Sequence, residues 1–511
     1  MMKKLVLFVI MLGILFSASS CDAFLNFDED ILAMEANILA QIPDEINDDF
    51  DIAIDDKYEI TFTIRDVSSE GQFIYKSPFY DQEETLYVSI KRGRSEITFE
   101  KDVMFIAEDS GLNETKIYLN LNVGANEINK DTYLQTNVRV ETKKNGEDVV
   151  DYQTSDAQVR GRGNSTWWSY PKKPYRLRFD KNTSILGMKE AKNYVLLAEY
   201  ADKSLIRNAI THKMATLFSH IDYHLDIRFV ELFINDAYQG VYLLTEQIEN
   251  HPNKLGLLSE AGVVDTNYLF ELDMRFYEQE IPEGFDWFLV DRHPYQIKDP
   301  DPDDLLYTNA HAEHLQSYMY ALETALIEKE GYDLFLDVDN AIDFFLIHEI
   351  AKNVDVGWSS VFMIKHASGP ISYGPLWDFD FAYGNADYID YGPDNWYGMR
   401  EWKNRMFILM MQIPRIRTAF KERFEMYYED ILPEMSAMIP VLGQSLEAMA
   451  ARNFEKWPIL STYVWPNPWE MLIRDTYDGQ VDYVHTYLIM RSNWIDQALD
   501  GSSYLSGYFE N

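Results

Sequence analysis

Cysteine is almost absent from this 511-residue chain. Cys21 stands alone, so no disulfide can form within it. No Cys/His cluster has the spacing of a metal site, and no segment repeats or falls into low complexity. Basic residues are scarce as well: 45 Lys and Arg stand against 84 Asp and Glu, a net charge of −39. A field of that sign repels nucleic acid and anionic lipid headgroups, which makes both poor partners. It also repels nucleotide triphosphates, so any phosphate site needs local basic groups or bound cations. Basic or Ser-rich proteins are the partners left open, although solubility alone accounts for such a charge. What the chain does have is apolar material, 47% hydrophobic and 14% aromatic, enough for globular packing in two or three domains.

The N-terminus carries Lys3-Lys4, an apolar run from Leu5 to Phe16 and then Ser17-Ala18-Ser19-Ser20-Cys21. This is the pattern of a secretory leader over 1–20, and the run is too short for a spanning helix of about 20 residues. Cys21 sits where a bacterial lipoprotein leader places its lipidated cysteine, with Ala18 where Leu is commoner. Two acyl chains there would tether the protein to the outer face of a membrane. An ordinary secreted protein with a chance cysteine is the plainer alternative.

Residues 21–56 read as an acidic tether with a short helix at Ile31–Ile42. Over 57–110, segments such as Tyr58–Ile64 and Leu86–Ile90 alternate apolar and polar side chains, the mark of half-buried strands. A small β-sandwich-like, immunoglobulin-like module is expected there. Residues 111–511 form the main domain. Strands are expected at Lys116–Asn122, Tyr133–Thr142, Pro174–Phe179, Tyr194–Leu197, Phe229–Ile234 and Gly240–Leu244, with a helix at Ser204–Phe218. From about 310 the periodicity turns helical: His311–Lys329, Ala341–Lys352, Arg405–Met411, Arg415–Met438, Gly443–Phe454 and Val481–Leu499. A β-rich front and a helix-rich back make an α+β fold or two lobes.

Against the acidic background, Arg160, Arg162, Lys172, Lys173, Arg176, Arg178 and Lys181 crowd into one segment. It opens with Arg160-Gly161-Arg162-Gly163-Asn164-Ser165-Thr166-Trp167. Glycines let backbone N–H groups approach an anion, and guanidinium forks match phosphate oxygens. The Walker spacing is missing, and so is the third glycine of ordinary protein kinases. A β-turn flanked by solvated arginines is an equally simple reading of this segment alone.

A second segment is acidic. The helix Ala341–Lys352 runs into Asn353-Val354-Asp355-Val356-Gly357-Trp358. Two short strands follow, Ser360–His366 and Ile371–Leu376, and then Trp377-Asp378-Phe379-Asp380-Phe381. Helix, acidic loop, hairpin, acidic loop is the order of parts in a protein kinase. There, one Asp receives or orients the acceptor hydroxyl and a second, after the hairpin, holds Mg²⁺ on the phosphates. Asp355 is the candidate for the first role, Asp378 and Asp380 for the second. Ser360 stands where ordinary kinases have a metal-binding Asn. His348, on the helix before the loop, reads as a satisfied structural histidine. Trp457, Trp465, Trp469 and Trp494 read as packing rather than a carbohydrate groove.

The basic segment with Lys172–Asp180, Leu186-Gly187-Met188, Tyr194–Ala198, Asp202–Asn208 and Gly240–Ile248 resembles, in order, the CotH family, over roughly residues 115–500. The resemblance implies a divergent two-lobed kinase-like domain, with ATP and Mg²⁺ or Mn²⁺ as cofactors. It also implies phosphorylation of protein serines, on spore coat proteins for the founding members. It makes Trp377-Asp378-Phe379-Asp380 the metal-binding element. Arg160, Arg162, Asn164, Ser165, Lys173 and Arg178 are the candidate phosphate-side residues. Lys173 or Arg178 would be the kinase lysine equivalent, with Glu246 or Glu271 as its glutamate; spacing leaves these open. Export places the domain where ATP is scarce, so the alternative is a surface binding or adhesion protein that keeps the fold with weak or absent catalysis.

Overall fold

The computed structural model describes residues 36–500 except 48–49, 56, 65–66, 74–81, 94, 106–114, 145–146, 279–282, 400–401 and 403. The leader, Cys21 and the first part of the tether lie outside the described residues. The chain forms two compact units, residues 1–110 and 111–511.

In the first unit, residues 36–41 are helical (α1), within the helix expected at Ile31–Ile42, whose first five residues lie outside the described residues. The strands are β1 (Glu45–Ile46), β2 (Phe50–Asp51), β3 (Glu59–Ile64), β4 (Val67–Glu70), β5 (Gln72–Phe73), β6 (Gln82–Arg92) and β7 (Ser95–Phe105). They form a five-stranded sheet in the order β1-β7-β6-β3-β4 and a separate β2–β5 ribbon. The period-2 pattern fixes the register of the sheet: Leu86, Val88 and Ile90 of β6 are buried while Tyr87 is exposed. The ribbon covers the same core, with Phe50 stacked on Phe73 at 4.9 Å and Phe62 edge-on to both.

The second unit opens with seven strands: β8 (Lys116–Asn120), β9 (Leu134–Lys144), β10 (Glu147–Gly161), β11 (Tyr175–Thr183), β12 (Ala191–Leu197), β13 (Ile227–Ile234) and β14 (Ala237–Glu246). They close into a barrel in the order β10-β11-β12-β14-β13-β8-β9, which leaves no free edge among them. Alternate residues such as Val138, Val140, Leu177, Phe179, Leu232 and Leu244 fill the interior. Two short helices interrupt this run, α2 (Ser165–Ser169) after the glycine turn and α3 (Arg207–Ala215) between β12 and β13.

A second five-stranded sheet follows, in the order β16-β17-β15-β18-β19. Its strands are β15 (Tyr268–Leu272), β16 (Trp287–Val290), β17 (His293–Asp299), β18 (Val361–Lys365) and β19 (Ile371–Tyr373). Between β17 and β18 lie α4 (Ala310–Glu328) and α5 (Val338–Ala351). Asp337 caps α5 by accepting from the Asn340 N–H at 3.1 Å, and Lys352, with φ 46°, ends it. The back half adds α6 (Arg405–Met411), α7 (Pro414–Met426), α8 (Leu432–Lys456), α9 (Trp469–Ile473) and α10 (Tyr477–Asp500). The architecture is thus α+β, with a β-barrel and sheet region followed by a helix-rich half. Among the described residues, no helix is long and apolar enough to cross a membrane.

One helix expectation is corrected. The break anticipated between 438 and 443 is absent, and α8 runs straight through Gly443. A Cβ there would lie 2.6 Å from Val481 of α10, so this glycine permits close helix approach rather than ending a helix. The helical run is continuous from α7 into α8, with a π-helical turn at Tyr427–Ile431 between them.

Candidate active site

The glycine turn leaves β10 at Gly161 and returns into β11 at Tyr175, with Gly163 at φ +83°. A side chain is barred at Gly161, whose Cβ would lie 2.3 Å from the Trp167 ring. The turn forms one wall of a cleft of about 1380 Å³. Arg160, Arg162, Asn164, Ser165 and Arg176 line it on this side; Asp355, Asp378 and Asp380 line it on the other. Two loops that lie far apart in the sequence therefore face the same space. Arg162 crosses the cleft, its guanidinium 5.3 Å from the centre of the Trp377 ring. The Nε atoms of Arg160 and Arg176 are buried and have no hydrogen-bond partner among the described residues.

The Asp378–Asp380 segment is pinned on every side. Asn353 Nδ2 donates to the Asp378 carbonyl at 3.1 Å, and Asn385 Nδ2 donates to the Asp380 carbonyl at 2.7 Å. The Phe379 N–H donates to Asn208 Oδ1 at 2.8 Å, and Ser360 Oγ donates to the Asp378 carboxylate at 3.1 Å. These bonds hold Asp378 at φ +68°, a left-handed conformation that a non-glycine residue seldom adopts unsupported. Burial pushes the Asp380 carboxyl well above the ordinary carboxylate range, and the charges of Asp378 and Glu199 add to the shift. Burial likewise raises Glu199 to about 8, with Asp202 as the next cause. Buried carboxyl groups gathered this closely favour binding a cation or releasing charge by protonation.

Three expected residues lie elsewhere. Lys173 is not in the cleft lining; its ammonium donates to the Trp167 carbonyl at 2.5 Å. Arg178 lies over the Tyr133 ring at 5.5 Å. It shares the outward face of β11 with Arg176 but sits two residues, roughly 7 Å, further along the strand. Glu246 is fully buried against Lys189 at 3.0 Å and also accepts from the Asp226 N–H. The other candidate glutamate, Glu271, does line the cleft, paired at 3.0 Å with Lys298. Lys298 lies on β17, outside the basic segment, and no local motif marks it. Arg176, Glu199, Asn208 and Arg275 also line the cleft. Asn208 closes the Asp202–Asn208 motif and was legible as part of it, without a role; Glu199 falls between that motif and Tyr194–Ala198, and no signal marked it.

Behind the cleft, Asp202 and Arg207 form an ion pair with both side chains fully buried, and Arg207 Nε donates to the Ala382 carbonyl at 3.0 Å. Lys172, also buried, donates to Asn453 Oδ1 at 2.9 Å and to the Val241 carbonyl; burial brings its pKa down to about 7. Of the four tryptophans, Trp457 donates to the Gln239 carbonyl and Trp494 packs edge-on to Trp396. Trp465 lines the cleft and stacks on Tyr388, and Trp469 is exposed.

His348 is buried against Phe344 and Phe379, with ring centroids 4.5 and 4.8 Å away. It is structural but not satisfied: neither ring nitrogen has a hydrogen-bond partner among the described residues, and burial lowers its pKa to about 3. The folded state therefore refuses a proton that the unfolded chain accepts below about 6.5. Stability is expected to fall as pH drops from about 6.5 towards 3, by up to about 1.4 kcal/mol per unit from this group. His348→Leu should flatten that part of a denaturant-unfolding series against pH; an unchanged slope would place the effect elsewhere.

Fold and cleft define a mixed α+β protein whose barrel turn and acidic loops face a common cavity set with guanidinium and carboxyl groups. The family described as CotH kinase protein matches residues 159–495, about two thirds of the chain, and the chain belongs to that family. Membership supports a kinase-like fold in general. Comparison with the curated proteins gives no match. Among the described residues, no group of three or more His, Cys, Asp or Glu side chains is arranged to hold a metal ion.

Proposed function

We propose that this cleft transfers the terminal phosphoryl group of ATP to a serine hydroxyl of a protein, with Mg²⁺ or Mn²⁺. The observation that carries the reading is the meeting of Arg160, Arg162 and Arg176 with Asp355, Asp378 and Asp380 around one cavity. The arginines supply forked donors for phosphate oxygens, and the unsatisfied Nε atoms of Arg160 and Arg176 suit an anionic ligand. Asp378 and Asp380 offer hard oxygens. Mg²⁺ is usually bound through one or two carboxylates completed by phosphate oxygens and water, so a pair fits it without a three-residue cage. The ion would neutralise charge on the phosphates.

Asp355 follows α5 in a half-buried loop whose Trp358 and Ser359 N–H groups donate to its own carbonyl, at 2.8 and 3.0 Å. Its carboxylate orients the serine hydroxyl and takes its proton as the new O–P bond forms and the bond to ADP breaks. Arg162, stacked on Trp377, reaches the same space from the glycine turn and offsets the charge that builds up there. Glu271 and Lys298 are the cleft's lysine–glutamate pair. The N-terminal leader supports export with lipid attachment at Cys21, and the net charge of −39 suits a basic or Ser-rich protein as the acceptor.

Calorimetry of ATP binding to the full chain with Mn²⁺, followed by transfer of labelled phosphate to serine, tests this. Binding with transfer is expected, and Asp355→Asn should lower the transfer rate at least about a hundredfold while ATP still binds. Binding without transfer would favour the surface-binding reading. No ATP binding at all would remove the nucleotide from the account.

A further inference from the structure

We propose that Asn208, held by Glu199, is a positioning residue that makes helix α3 the support of the Asp378–Asp380 carboxylate pair; this rests on the function proposed above. Asn208 is the second residue of α3 and spans a gap between two parts of the cleft. Its Nδ2 donates to both Glu199 oxygens, at 3.0 and 3.3 Å, which turns its Oδ1 towards the Phe379 N–H 2.8 Å away. Phe379 lies between the two aspartates, so this single bond sets where their shared backbone runs. All three groups are buried, so water offers no substitute for a lost partner.

The preceding residue extends the same support. Arg207 is locked to Asp202 and donates to the Ala382 carbonyl, two residues beyond Asp380. The first turn of α3 thus grips the acidic segment on both sides of Asp380. Glu199 is itself held at φ +49° and lines the cleft. Any tilt of α3 moves Phe379 and Ala382 together, and the two carboxylates with them. The bracket acts through the backbone of its neighbour and needs no contact with the nucleotide.

The test titrates Mn²⁺ into the full chain, followed by electron paramagnetic resonance, alongside KM for Mn²⁺ and kcat for transfer. Asn208→Leu removes all three side-chain bonds at similar volume. Glu199→Gln keeps the volume but lets the Asn208 amide turn over, and it serves if the first variant does not fold. Weakening of Mn²⁺ binding by about tenfold or more in Asn208→Leu is expected, the size typical of lost outer-shell support. A smaller loss in the same direction is expected for Glu199→Gln, with KM for Mn²⁺ rising more than kcat falls and the melting temperature held near that of the unaltered chain. Unchanged Mn²⁺ affinity in a folded variant overturns the bracket. If affinity is lost in Asp378→Ala but kept in both bracket variants, only this inference fails. If the unaltered chain binds no Mn²⁺, the function proposed above fails with it.

Discussion

Asp378→Ala should lower phosphoryl transfer by about a thousandfold or more, with no comparable loss of fold. Asp378 supplies one of two carboxylates on the segment, and its partner Asp380 is buried where burial favours the protonated form. Removing one of two hard-oxygen ligands would leave a cation only Asp380 and phosphate oxygens, and charge stabilisation of this kind is among the largest contributions an active site makes. Alanine also leaves Ser360 Oγ without its acceptor and places an ordinary residue at φ +68°, where Asp is better tolerated. A modest loss of stability should accompany the kinetic effect. Asp378→Asn keeps the size and the Ser360 bond and removes the charge, so it separates the two. Initial rates at saturating ATP and Mn²⁺ are the measurement. A rate within tenfold of the unaltered chain in Asp378→Ala would show that this aspartate holds no essential ion.

The second large effect concerns stability. Arg207→Met should destabilise the second unit by about 3–5 kcal/mol, the usual result of stripping one partner from a buried ion pair. Asp202 would remain fully buried with its main counter-charge gone, still accepting from the Ser204 and Arg207 N–H groups but facing an apolar side chain. The Ala382 carbonyl would lose its donor in the same step. The double variant Arg207→Met with Asp202→Asn should recover part of the loss, because the stranded charge goes with it. Urea unfolding of the single and double variants measures this. Equal destabilisation in both would mean that the cost lies in packing and not in charge.

Legibility in the sequence followed the physics of each element. The strands of the barrel that alternate, such as β9 and β11, can be read from the pattern because one face is packed and the other is not. β10 escapes such a reading. It is 15 residues long, but its register shifts between Val150 and Tyr152 and again between Thr154 and Ala157, which breaks the alternation over a polar stretch. β15 escapes for the opposite reason: all five residues are buried, so no contrast marks its faces. The aspartates of the cleft were legible because loop, hairpin and loop follow in short order. The cations were only partly so. Local sequence marked a cluster of basic residues but could not say which side chains turn inward. Arg176 and Arg178 differ only in distance along one strand, and Lys298 depends on a sheet assembled from distant segments.

Arg491, on the last described helix, has consequences for how the site is held. Its guanidinium is fully buried and donates to the carbonyls of Glu349, Pro393 and Asn395 and to the Glu349 carboxylate. Glu349 belongs to the helix that leads into the Asp355 loop. This one side chain makes the seating of the helix before the Asp355 loop depend on a helix that comes much later in the chain. Without α10, the Glu349 carboxylate would stay buried with its counter-charge gone, and α5 would lose the tie between its last turn and residues 393–395.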